Sequence, residues 1–333
     1  FFFVSLVCTC NSRMQRGWAL VSGGNRGIGF EICKQLASRY GVWMGARNID
    51  EGRKASSDIN SSLPSSTCTP VQLDVTSKQD IHRVIREQIE PALKRMKEEG
   101  GGKGVNTLLI VNNAGVYEDG WDEQRLERTL QTNVMGPIHM IEAVLESDSA
   151  KQVETLHFIS LSSGYGSASC QPDSVMKSIM QISSIPQLKE AVSDTSKWSA
   201  LYSSSQKQEY VAMYKLSKAL LNRGMELFAS EITAVDGGDG KGKERRGEQK
   251  GRSEDERKGE KEKEHMHRTV LFNNVDPGWV RTRMGGQGAP LSPAEGADTV
   301  VWLGLKSLSQ VGVDGVQNGV VYKKRRVVDW KRE

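Results

Sequence analysis

A chain of 333 residues with 37% hydrophobic and 26% charged residues has an ordinary soluble globular composition and is long enough for one large domain or two small ones. The formal net charge is +4, and much of the lysine and arginine falls in one tract, so a basic nucleic-acid face is not expected. The five cysteines (Cys8, Cys10, Cys33, Cys68, Cys170) are odd in number, scattered and without a C-x-x-C pair, which argues against a disulfide framework and a zinc site.

The opening "FFFVSLVC", Phe1 to Cys8, falls well short of the roughly 20 apolar residues that span a bilayer, and no other stretch reaches that length. No membrane span is expected. Residues 1–17 read as an apolar extension whose origin stays open between a targeting segment, a remnant of a longer gene product and a cloning artefact. The expected compartment is the cytoplasm.

From Trp18 onward, short apolar runs alternate with longer amphipathic stretches, the pattern of a parallel sheet covered by helices on both faces. The first strand, "WALVSG", runs into "SGGNRGIG" (Ser22 to Gly29) and then a helix over Ile28 to Arg39. Strand, glycine turn and helix in that order place backbone N–H groups and a positive helix end where a pyrophosphate would sit. The second strand, "VWMGAR", ends with Arg47 where an acidic residue would grip a ribose 2′-hydroxyl. With Arg26 inside the turn, two guanidinium groups suit a 2′-phosphate, so NADP(H) is preferred over NAD(H), although Asp50 lies close by.

The third strand, "PVQLDV", ends at Asp74 and Val75 and precedes a helix over Lys78 to Lys97. The fourth, "TLLIVNNAG", ends in Asn112, Asn113, Ala114 and Gly115. Ligands of open parallel sheets lie beyond the carboxyl ends of strands, where these small polar residues would meet adenine and ribose. A helix over Trp121 to Met135, continuing to Leu145, contains Asn133 at a propensity cost. The fifth strand, "TLHFISLSS", offers Ser162 and Ser163 at the same sheet edge.

Residues 165–209 are rich in Ser, Gln and Met and too long for an ordinary connection, so they are expected to form an inserted lid or binding segment, with Trp198 and Tyr202 either lid aromatics or buried packing. A helix over Tyr214 to Ile232 follows. In its "MYKLSK", Tyr214 and Lys218 stand four apart and share a helix face. Residues 236–267 are almost wholly charged or glycine, cannot bury apolar surface and are expected to be disordered. His265 and His267 lie there without further ligands, so no metal is expected. The sixth strand, "TVLFNNVDPG", turns at Pro277 and Gly278 and exposes Trp279, Val280 and Thr282 to the same cleft; "NGVVY" supplies a seventh strand.

These motifs, in this order, resemble the short-chain dehydrogenase/reductase family from about Trp18 to Trp330, apart from the charged tract. The long gap between Ser163 and Tyr214, with "PGWVRT" and "SPAEGADTVVWL", is most similar to its monomeric NADPH-dependent carbonyl reductases. The resemblance implies a Rossmann-type doubly wound α/β domain over residues 18–333 with about seven strands, and an insertion that blocks dimerisation. It implies Tyr214 as the proton donor, Lys218 as its helper and ribose ligand, Ser163 as a hydrogen-bond donor to the substrate oxygen, and Asn133 as holder of a water or backbone kink. Ser162 is an immediate rival to Ser163. A neighbouring ammonium would also lower the phenol of Tyr214 toward neutrality.

Cofactor contacts are implied at Ser22, Gly23, Asn25, Arg26, Gly27, Ile28 and Gly29 in the turn, where Ser22 replaces the family's usual Thr. Others are implied at Arg47, Asp74, Val75, Asn113, Ala114 and Gly115, at Tyr214 and Lys218, and at Pro277, Gly278, Val280 and Thr282, with Trp279 in the substrate pocket. The expected function is reduction of a small-molecule ketone, aldehyde or quinone. The alternatives are a catalytically silent NADP-binding sensor or interaction protein, and an alcohol dehydrogenase working in the oxidative direction.

Overall fold

Successive strand side chains point to opposite faces, and the first strand shows what each face buries. In β1 (Gly17–Ser22), Ala19 and Val21 enter one apolar cluster and Leu20 the other. Both faces are covered, which is why the strands read as continuous apolar runs. The computed structural model describes residues 17–63, 67–99, 107–236, 268–308 and 315–332. The expectations for residues 1–16 and for 237–267 of the charged tract lie outside the described residues.

The remaining strands are β2 (Gly41–Ala46), β3 (Thr67–Gln72), β4 (Thr107–Asn112), β5 (Thr155–Leu161), β6 (Thr269–Asp276), β7 (Val320–Lys323) and β8 (Arg326–Val328). Among the described residues these eight form one sheet in the order β3-β2-β1-β4-β5-β6-β7-β8. All pairings are parallel except β7 with β8. The winding reverses between β1 and β4, which opens a crevice beyond the carboxyl ends of the strands. The sheet is therefore the expected doubly wound α/β architecture, with one strand more than the sequence indicates. β8 follows a turn through Lys324 and Arg325 at φ 48° and 62°, which carries none of the glycine or asparagine that marks such turns.

One face holds α1 (Gly27–Leu36), α2 (Ile49–Ser62) and α12 (Pro293–Ser307), whose Ile32, Leu36, Ile59 and Val300 are fully buried with Val21 and Val111. The other face holds α3 (Lys78–Val84), α4 (Glu90–Glu99), α5 (Glu123–Leu130), α6 (Gly136–Glu146) and α11 (Ala212–Asp236). A π-helical turn, Ile85–Ile89, joins α3 to α4, and another, Gln131–Met135, joins α5 to α6. β3 starts and ends three residues before the expected segment, so Leu73, Asp74 and Val75 lie beyond its end. On its outer edge, Asn60 of α2 accepts from the N–H of Cys68 at 3.0 Å and donates to its carbonyl at 2.9 Å. Further along, Arg83 donates to the carbonyl of Gln72.

The inserted segment is helical: α7 (Asp173–Met180), α8 (Ile185–Ser193), α9 (Thr195–Leu201) and α10 (Ser204–Lys207). Its polar residues start the last three of these helices. The Ser184 side chain accepts from the N–H of Gln187, Asp194 from Lys197, and Ser203 forms a capping box with Gln206. Trp198 is fully buried and donates Nε1–H to the Ala191 carbonyl at 2.7 Å, while Tyr202 is buried against Trp121. Both are packing residues and neither is a lid aromatic.

Candidate active site

The glycine turn is built by close approach. Gly23 and Gly27 have φ of 63° and 57°, the region glycine adopts without strain. A Cβ on Gly29 would stand 2.3 Å from the Gly23 carbonyl oxygen, so any other residue would drive α1 away from the turn. Ser22 is buried, and its hydroxyl accepts from the N–H groups of Asn113 and Ala114, each at 3.1 Å, while donating to the Val111 carbonyl. The Asn113 amide donates to the carbonyls of Ser22 and Gly23 at 2.9 and 3.0 Å. The turn after β4 is thereby fastened to the turn after β1. The side chain of Asn113, expected to meet a ligand, is committed to this brace because two carbonyls of a tight turn need a donor.

Arg26 and Arg47 are both exposed, and their guanidinium groups make no hydrogen bond or ion pair among the described residues. Asp50 pairs with Arg53 at 2.8 Å, and Asn25 donates to Glu51 at 2.7 Å. The first turn of α1 carries no acidic residue, so its N–H groups and dipole face the turn uncompensated. Asp74 holds the N–H and hydroxyl of Thr76 with one carboxylate oxygen. Val75 is buried, within reach of where a Gly136 Cβ would stand, and supports α6. The exposed guanidinium groups, positive-φ glycines and open helix N-terminus form a cradle that fits the phosphates of a dinucleotide.

Tyr214, Lys218 and Ser163 meet at the adjoining sheet edge. Ser162 is buried and donates to the Asn222 side-chain amide oxygen at 2.7 Å, whereas the Ser163 hydroxyl accepts from the N–H of Tyr165 at 3.2 Å and neighbours the Tyr214 phenol. Lys218 Nζ lies 5.3 Å from the Tyr214 ring centre and donates to the Leu161 carbonyl at 2.7 Å. Burial lowers the Lys218 ammonium to about 8. The phenol of Tyr214 is pushed well above its ordinary value, first by desolvation and then by the Asp276 carboxylate, against the lowering effect of the neighbouring Ser163 hydroxyl. The expected depression of the phenol by Lys218 is therefore absent: desolvation and Asp276 decide the direction, and the lysine is turned to a backbone carbonyl.

Asn133 lies in the π-helical turn, whose wider winding turns it inward. Its amide donates to the Val116 carbonyl and to Ser217 and accepts from the N–H of Val116 at 2.8 Å. It thus ties the loop after β4 to the helix of Tyr214 and Lys218. Gly278 takes φ 77° after Pro277, and Thr282 lies over Gly27, with Cγ2 3.2 Å from where a Cβ there would stand. Trp279 is 60% exposed and donates to the Gly285 carbonyl. Val280, expected to face the cleft, is 4% exposed and packs against Gly296 of α12, because it pairs with Leu291 in an isolated parallel bridge.

Sequence reasoning missed the aromatic surround. Tyr117 and Tyr165 stand edge-on to Tyr214 at 5.8 and 6.4 Å between ring centres, and Tyr117 donates to Asp119 at 2.6 Å with the Tyr210 carbonyl also within 3.0 Å. These residues come from three separate loops with no shared spacing. Their only sequence signal was aromatic residues just after "NNAG" and just after "SSG".

Residues 17–171 match the family model for short chain dehydrogenases. The chain is 27% identical to carbonyl reductase [NADPH] 1 of Bos taurus and 27% identical to that of Homo sapiens, in each case over 94% of this chain and 98% of the relative. Salutaridine reductase from Papaver somniferum has the same fold, with a TM-score of 0.63 at 21% identity over 91% of this chain and 98% of that one.

Proposed function

We propose that this chain, a member of the short-chain dehydrogenase/reductase family, is a carbonyl reductase that uses NADPH and takes a small ketone, aldehyde or quinone. One observation carries the reading: Ser163, Tyr214 and Lys218 share a corner at the same sheet edge as the glycine turn. The likeness to carbonyl reductases over nearly the whole chain supports it.

Bound there, a nicotinamide would supply hydride to the carbonyl carbon. Tyr214, half-buried and kept protonated by desolvation, gives that proton to the carbonyl oxygen. The Ser163 hydroxyl donates a hydrogen bond to the same oxygen, orienting the carbonyl and stabilising the developing negative charge. Lys218 supplies a positive charge beneath the ring, and Asn133 fixes the loop that faces it. Arg26 and Arg47 hold the 2′-phosphate, and Ser22 and Asn113 hold the turn that approaches the pyrophosphate. Trp279 and Tyr165 flank the substrate. The chain acts as a monomer, its inserted helices α7 and α8 lying against α11.

The test is the loss of NADPH absorbance with a panel of quinones and aromatic aldehydes, in wild type and in Tyr214→Phe, with NADH in parallel. Turnover with NADPH that vanishes in the variant supports the reading. Tight NADPH binding without any turnover would favour the silent binder.

A further inference from the structure

Tyr214, Lys218 and Asn222 recur at four-residue spacing on α11 and so form one stripe along it. The stripe faces the turn that follows β5. Asn222 is 1% exposed, and both ends of its carboxamide are used. Its oxygen accepts from the Ser162 hydroxyl at 2.7 Å, and its Nδ2 donates to the Gly166 carbonyl at 3.3 Å. Ser163 lies between these two anchor points.

The turn rests directly on the helix. A Cβ on Gly166 would stand 2.8 Å from Asn222 Nδ2 and 2.9 Å from the Lys218 carbonyl carbon. The Gly166 N–H in turn donates to the Ser163 carbonyl at 2.9 Å, and the Ser162 N–H donates to the Val275 carbonyl on β6. One buried amide thus joins the segment that carries Ser163 to the helix that carries Tyr214 and Lys218.

We infer that Asn222 is a positioning residue for the reaction: it sets the place of the Ser163 hydroxyl relative to the Tyr214 phenol without touching substrate or cofactor. The inference rests on the reductase reading above. Asn222, Ser162 and Gly166 are all buried, so removing the amide leaves the Ser162 hydroxyl and the Gly166 carbonyl without their partner. The turn then lifts or rotates to find others. A displacement of about 1 Å between reacting groups costs up to ~10²-fold in rate. The glycine turn and the two arginines lie on other elements and are untouched, so cofactor binding is spared.

The experiment compares wild type, Asn222→Ala, Ser162→Ala and the double variant, with Asn222→Asp as a same-size change that keeps the acceptor and removes the donor. Turnover at saturating NADPH, NADPH affinity by fluorescence and amide hydrogen exchange over residues 162–170 are measured on each. The expected result is a fall in kcat of about 10- to 100-fold for Asn222→Ala, with NADPH affinity within about twofold and faster exchange confined to the turn. Ser162→Ala is partial, and the double variant is no worse than Asn222→Ala, since both act on one contact. Unchanged kcat, or a kcat loss accompanied by an equal loss of NADPH affinity, overturns the inference. If wild type reduces no carbonyl, the reductase reading fails by itself and exchange decides the tether: faster exchange confined to 162–170 upholds it, and unchanged exchange removes it.

Discussion

Lys218 lies beneath Tyr214, with Nζ 5.3 Å from the ring centre, yet it gives its hydrogen bond to the Leu161 carbonyl and not to the phenol. The two groups are thus near enough to share a field and are held apart by a backbone acceptor. Burial moves them in opposite senses, the ammonium down to about 8 and the phenol upward, because each is pushed toward its neutral form. A phenol that keeps its proton is the form a carbonyl reduction consumes.

Replacing Tyr214 by Phe removes that proton and little else, since the ring's contacts with Tyr117 and Tyr165 are edge contacts that phenylalanine retains. Turnover is expected to fall by about 10²–10⁴-fold, with NADPH affinity in a fluorescence titration nearly unchanged. Equal losses in both would mean that the phenol mainly holds the cofactor.

Arg26 and Arg47 carry the cofactor preference in this reading. Each charge-assisted contact is worth about 1.5–3 kcal/mol, so Arg47→Ala is expected to raise the KM for NADPH by about 10- to 100-fold and leave that for NADH nearly constant. The ratio of kcat/KM for the two cofactors checks this. An unchanged ratio in both the Arg26 and Arg47 variants would remove the 2′-phosphate assignment.

Gly29→Ala places a methyl 2.3 Å from the Gly23 carbonyl oxygen, where the backbone of the turn or of α1 must give way. The expected cost is about 1–3 kcal/mol of stability, read as a lower Tm, together with loss of NADPH binding. Gly286→Ala is the control for a glycine with open space around it, although its φ of 75° carries a strain of its own.

His157 is fully buried between Ser307 and Asn273, and burial lowers its imidazole to about 4. The unfolded chain takes up this proton near 6.5, so between those values the unfolded state binds more protons than the folded one. The contribution to stability is complete above about pH 6.5 and is lost as pH falls toward 4, by up to about 3 kcal/mol. Denaturant melts at pH 7 and pH 5 check this against His157→Gln. The variant is expected to lose less stability over that interval.

The existence and order of β1 to β7 along the chain were legible because both sheet faces are covered and the apolar runs are continuous, as in "TLLIVN" of β4. The site's outline was legible because its motifs end those strands. Three things were not. The inserted helices α8 to α10 were hidden because Ser184, Asp194 and Ser203 act as caps while reading as loop composition. The division of labour between Ser162 and Ser163 depends on Asn222, sixty residues away from Ser162 in sequence. The direction of the Tyr214 shift depends on desolvation and on Asp276 at the end of β6, and adjacency to Lys218 in the sequence pointed the other way.

The outer rim of the sheet at β3 also bears on how the molecule behaves at high concentration. Its alternate positions Cys68, Pro70 and Gln72 face away from β2, and each is blunted differently: a side-chain amide imitates a neighbouring strand at Cys68, a ring nitrogen offers no donor at Pro70, and a guanidinium occupies the carbonyl of Gln72. A second molecule approaching that rim finds no ladder to extend. The arrangement guards against edge-to-edge polymerisation, and Asn60→Ala, which uncovers one rung, is expected to raise the aggregation rate on mild heating before it changes the chemistry of the cleft.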